Sequence, residues 1–269
     1  MTDVSQGASV QQLSISGAGR NAFWMVAPFV LIAACWQVAA MFFPPYLFPS
    51  LIDVFARVIG ILTDWSQFSS VLATALRILG GLCGAFVLGA VLGVMIARWK
   101  IAERLLTPVL VFFQGVPALS WVVFAIIWFH GIEFRILFIM IVTTLPAFTF
   151  QVVGALRGMN RDLLEMVMSF RPNRRKYLTA MVLPAVLPEI VTAWKVNLGN
   201  ASRVVVVAEL VGSSGGVGFQ LLEQQQLFDM AGALAWTLQL VFFVLLFQWL
   251  LTAFERTAFR YRAVSERAL

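Results

Sequence analysis

Six apolar runs, each long enough to cross a hydrocarbon layer of about 30 Å at ~1.5 Å per residue, constrain this chain more than any other feature. They fall at about 22–43, 75–97, 105–129, 134–155, 182–211 and 233–253. Backbone amides in lipid must be satisfied within their own segment, so runs of this length are helices. The expected fold is all-α integral membrane with six transmembrane helices. A cleaved signal peptide is the competing reading of the first run, but its apolar part would be shorter and nearer the N-terminus. Hydrophobic residues make up 61% and charged ones 12% of the chain, and the net charge is +6. The basic residues border apolar runs and form no separate polar patch, which fits the positive-inside rule and excludes nucleic acid as a partner. Cys35 and Cys83 lie within apolar runs, His130 is the only histidine, and Walker A and HExxH sequences are absent. Neither a metal knot nor a self-sufficient enzyme is expected.

Along the chain, residues 1–21 read as a disordered tail and 44–74 as a loop. That loop carries an interfacial helix from Leu51 to Trp65, capped by Ser50 and bearing Asp53, Arg57 and Asp64. A five-helix core covers 75–254, and a basic tail covers 255–269. GxxxG spacings at 80/84 and 89/93 predict close helix contact in the second run. QGVPALS, Gln114 to Ser120, interrupts the third, because Pro117 removes a helical hydrogen bond. GSSGGVGFQ and the residues up to Asp229 read as a loop. Six spans place both termini and two loops on one side, with 14 of the 19 Lys and Arg, which assigns that side to the cytoplasm.

The fifth run is unusually polar, with Lys195, Asn197, Asn200, Ser202, Arg203 and Glu209. Trp194, Leu198, Ala201 and Val205 form one narrow apolar seam, expected to face lipid, and the remaining circumference faces protein or water. Asn197, Asn200, Ser202, Arg203 and Glu209 are the candidate solute-path residues, and Gln114, Ser120 and Thr143 are weaker ones. Arg203 suits a sulfonate or carboxylate; an Arg203–Glu209 pair that only fixes packing is the alternative. Lys195 is expected to snorkel. Glu209 reads as the only acidic residue within a span.

Arg157 to Lys176 form a basic amphipathic island between the fourth and fifth runs. Leu163, Leu164, Met166, Val167 and Phe170 give it an apolar stripe at helical spacing. Arg161 and Glu165, four apart, suit a same-face pair. Such a helix either docks into a groove on a partner protein or lies on lipid headgroups.

RDLLEMVMSFRPNRRKYLTAMVLPAVLPEI resembles the EAA loop of ABC importer permeases, with Glu165 as its glutamate and Pro184 as its Leu-Pro proline. AELVGSSGGVGF, Ala208 to Phe219, is similar to the AExxxxxxGxG segment of nitrate/sulfonate/taurine-type permeases. RILGGLCGAFVLGAVLGVMIAR and QGVPALSW resemble that subfamily's second and third spans. The resemblance covers about residues 46–262. It implies a type I importer permease fold with a cytoplasmic coupling loop at 157–178, in a bacterial inner membrane. A homodimer, two cytoplasmic ATPase subunits and an extracytoplasmic solute-binding protein would complete the assembly. No cofactor is expected in this chain, since the ATPase holds the ATP. Arg161, Asp162, Glu165, Phe170, Arg171, Pro172 and Pro184 are then the coupling residues. Val167 and Arg171 stand where the family has alanine and glycine, and glycine ordinarily permits the turn there. The implied solute is a small anion such as a sulfonate, nitrate or taurine. A small aromatic or pyrimidine-type solute and an ion-coupled secondary transporter are the alternatives, with a channel or scaffold subunit behind them.

Overall fold

The computed structural model describes Trp24 and residues 26–258. The tail at 1–21 and the basic residues beyond Ala258 lie outside the described residues. Among the described residues there are eleven α-helices: α1 Val26–Phe42, α2 Leu51–Thr63, α3 Trp65–Arg98, α4 Lys100–Gly115, α5 Ala118–Trp128, α6 Ile132–Arg157, α7 Arg161–Ser169, α8 Arg174–Tyr177, α9 Leu183–Gly212, α10 Val217–Gln226 and α11 Met230–Ala258. Leu178–Val182, between α8 and α9, is a π-helical turn. Among the described residues four helices are long and apolar enough to cross a membrane: α3, α6, the continuous Arg174–Gly212 helix and α11.

The expected count of six is approximate for two reasons. α4 and α5 are bent by 95° at their break, and the described part of α1 has 17 residues. At the break, Val116 is extended at φ −77°, ψ 125°, as a residue before proline prefers, and Pro117 starts α5. The helix that carries the second run begins at Trp65, capped by the Asp64 side chain, about ten residues before the apolar run itself. Ser50 caps α2 through the Asp53 amide, as its position predicts. The stretch read as a loop before Asp229 contains helix α10.

The bundle centre is the contact between α3 and α6. Added Cβ atoms on Gly81, Gly89 and Gly93 would lie 2.6, 2.9 and 2.8 Å from the Cβ atoms of Met140, Phe148 and Val152. Each pair is offset by 59 residues, so the two helices run parallel in constant register. The seam is Gly81–Ala85–Gly89–Gly93. Gly80, half of the 80/84 spacing, faces open space. Small residues let the two backbones approach within van der Waals contact, which holds helices together where lipid is as apolar as the core.

α9 packs on this pair through Leu198, Ala201 and Val205, all fully buried. Trp194 lies 5.5 Å from Phe86 and 5.8 Å from Phe148, ring centre to ring centre. The apolar seam expected to face lipid therefore faces the protein core. Lipid-facing character falls instead to positions such as Phe242, Leu245 and Trp249 of α11, which are exposed.

Candidate functional site

α9 carries four charges, Glu189, Lys195, Arg203 and Glu209, and its two faces divide them. Lys195 Nζ lies 2.5 Å from Glu255 Oε2 of α11. Glu209, fully buried, accepts from Thr74 Oγ1 at 2.8 Å, Arg77 at 2.7 Å and the Gly218 amide at 2.9 Å. Arg77 continues to Glu133 and to the Gly215 carbonyl, and Thr74 Oγ1 accepts from the Val217 amide. The partner of Glu209 is thus Arg77 and not Arg203.

The spacing of AELVGSSGGVGF follows from this enclosure. Gly216, at φ 108°, folds the chain over the carboxylate, where a Cβ would sit 2.3 Å from Oε1. Arg135 holds the same end of the bundle by donating to the Gly212 and Phe129 carbonyls, at the C-terminal ends of α9 and α5.

Asn197 and Ser202 also face inward. Asn197 donates to Gln151 Oε1 at 2.6 Å, and Ser202 bonds the Gly199 carbonyl. Glu189 and Arg203 differ in kind: both are exposed, and neither has an ion-pair or hydrogen-bond partner among the described residues. They share one face with Thr192, Val196 and Asn200, all exposed, at steps of three and four residues. That face spans about 80° of arc at ~100° per residue. Gln114 is exposed, Ser120 and Thr143 are half-buried, and Thr143 gives its hydroxyl to the Ile139 carbonyl. None of these three bonds to the open face among the described residues. Glu189 corrects the expectation that Glu209 is the sole acidic residue of a span. Its signal was its placement four helical turns from Arg203.

At the other end of α9 the chain leaves the bundle. The Asn160 side chain caps α7 by accepting from the Asp162 amide at 2.8 Å. No described residue of α7 is buried. Asp162 and Glu165 are exposed, and Met166, Met168 and Phe170 are 55%, 58% and 79% exposed. The Arg161 side chain, and with it the Arg161–Glu165 pairing, lies outside the described residues. Arg171 itself adopts the left-handed turn at φ 47°, with its amide bonded to the Met168 carbonyl, and Pro172 follows. The turn expected of glycine is thus made by arginine, at a cost of about 1 kcal/mol.

Beyond it, Arg174, Arg175 and Lys176 are exposed on α8. The π turn then widens the helix, with the Leu183 amide reaching back to the Leu178 carbonyl. Its cause is Pro184, which has no amide proton and whose ring would collide with the carbonyl four residues earlier in a regular α-helix. Arg157, at the root of the segment, donates to Glu103 Oε1 at 2.8 Å and to the Ile96 carbonyl at 3.3 Å, binding it to α4 and α3.

A helical membrane bundle with one polar face left open, and an amphipathic helix held clear of its core, is the transmembrane subunit of a larger transport assembly. Residues 85–260 match the binding-protein-dependent transport system inner membrane component family, and the chain belongs to it. It is the permease subunit of an ABC importer, a multi-pass membrane protein whose ATPase is a separate subunit.

The chain is 26% identical to the formylaminopyrimidine transport permease protein ThiX of Halalkalibacterium halodurans over 209 residues, 77% of this chain and 83% of that one. It is 25% identical to the taurine transport system permease protein TauC of Escherichia coli over 199 residues, covering 71% and 72%. Its fold matches a chain of the MetNI methionine ABC transporter, solved in inward-facing conformations, with a TM-score of 0.61 at 19% identity. That match covers 73% of this chain and all of the other.

Proposed function

We propose that this permease imports a small anionic solute, of sulfonate or taurine type, as a homodimer whose two open α9 faces meet across the path. The observation that carries this reading is Arg203, a cation without a partner among the described residues, beside Asn200 on an exposed face at membrane depth. A charge there costs roughly 3 kcal/mol or more against lipid, so the face belongs against water or a second copy. The relative TauC carries taurine in its name, and taurine, a zwitterion, presents a sulfonate group that a guanidinium can bind.

The 14 clustered Lys and Arg support a reading in which the termini and α7 face the cytoplasm. There the apolar stripe of α7 seats in a groove of the ATPase, with Phe170 as an anchor and Asp162, Glu165, Arg171 and the α8 cations at its rim. Pro172 and Pro184 stiffen the two ends of the lever. The ATPase binds ATP, and an extracytoplasmic binding protein delivers the solute. Membership of the family removes the ion-coupled and channel readings.

Reconstitution with the ATPase and binding protein tests the solute class. Arg203→Gln should raise the KM for taurine uptake about tenfold or more, while ATPase docking is retained. Unchanged taurine kinetics, or uptake of formylaminopyrimidine insensitive to excess taurine, would favour the second reading, which rests on the relative ThiX. The homodimer is tested by Val196→Cys in a background lacking Cys35 and Cys83, where oxidation should give a covalent dimer.

A further inference from the structure

Between the last turns of α6 and the start of α9 lies a cavity of about 530 Å³, beside the root of α7. Gly154, Gly158, Asn160, Pro184, Ala185 and Glu189 line it, and among the described residues Glu189 is the only charged one that does. Glu189 is on the same face of α9 as Arg203, fourteen residues nearer the coupling loop, or about 21 Å along the axis. The face thus begins with a carboxylate and ends with a guanidinium, both unpartnered among the described residues. The other two charges of α9 are both paired.

A wholly cationic path would bind an anion at both ends and release it slowly. A carboxylate at the inner mouth lowers the affinity of that end for an anion and keeps cytoplasmic anions from entering it.

We infer that Glu189 gives the inner mouth of the path a negative field, making it a low-affinity exit that rejects anions from the cytoplasmic side. The inference rests on the reading of the α9 face as the solute path and assigns that path's polarity.

The test places a thiol at position 185, one helical turn from Glu189 and about 6 Å away. The variant Ala185→Cys is made in the assembled importer with Cys35→Ala and Cys83→Ala, since both native thiols are exposed. Inverted membrane vesicles are treated at low ionic strength with two reagents of similar size. One is the anionic 2-sulfonatoethyl methanethiosulfonate, the other the cationic 2-(trimethylammonium)ethyl methanethiosulfonate. With Glu189 present the cation should react faster. Glu189→Gln should cut the cation-to-anion rate ratio by about tenfold, and high salt should do the same, whereas Glu189→Asp should preserve it. A purely structural role would leave the ratio unmoved. Modification at an unchanged ratio in Glu189→Gln would overturn the inference and leave the path intact. No modification by either reagent from either side would overturn the open-face reading and the inference with it.

Discussion

Gly216 and Arg171 show opposite relations between a residue and its backbone. Gly216, at φ 108° and ψ 173°, occupies a region that is almost exclusively glycine's, and the Glu209 carboxylate fills the space a Cβ would need. Gly216→Ala must both strain the turn and push the carboxylate off Thr74, Arg77 and Gly218. We expect a loss of about 2 kcal/mol or more, read as a lower unfolding temperature of the detergent-solubilised permease. Arg171, by contrast, occupies a left-handed turn that glycine makes without strain. Arg171→Gly should leave the permease as stable or more stable by up to about 1 kcal/mol. It should nonetheless weaken ATPase co-purification if the Arg171 guanidinium contributes to docking. A less stable Arg171→Gly permease would show that the arginine side chain, and not the turn, holds the loop.

Helix packing is where sequence and structure part, and the reason is physical. In water an apolar stripe marks the buried side of a helix, but lipid and protein core are equally apolar. Periodicity groups Trp194, Leu198, Ala201 and Val205 correctly on one seam, yet it cannot choose between lipid and core for that seam. The choice came out as core. Glycine spacing has the same limit: 80/84 and 81/85/89/93 look alike as patterns, and only the partner helix separates them. Long apolar runs, the Ser50 cap, the break at Pro117 and the amphipathic α7 were legible because each depends on local backbone chemistry. The Arg77–Glu209 bond spans 132 residues of sequence and has no local signal. A direct check of the packing seam is the contrast of Gly89→Ala with Gly80→Ala. The first drives a Cβ to 2.9 Å from that of Phe148, and the second meets nothing within 4 Å. Thermal unfolding should show a loss of about 1–3 kcal/mol for the first and a change near zero for the second. Equal effects would refute the seam.

Across the whole molecule, the charges of the membrane helices separate into those that hold and those that are left to act. Lys195 is bound to Glu255 and Glu209 to Arg77, so each has a partner that offsets part of its desolvation within the fold. Glu189 and Arg203 have no such partner among the described residues, and in lipid that cost would select against them. Stability and transport should therefore respond to different pairs. Lys195→Met and Glu255→Gln should each lower the unfolding temperature. The double variant should regain most of the loss, giving a coupling energy of about 1–3 kcal/mol, and none of the three should change which solutes compete for uptake. Arg203→Gln should shift stability by no more than about 0.5 kcal/mol while weakening competition by anionic solutes. An additive Lys195/Glu255 cycle would mean that the pair does not join α9 to α11. A large stability loss on Arg203→Gln would mean that its guanidinium is a packing element of the assembled dimer, and the path would then have to be sought on another face.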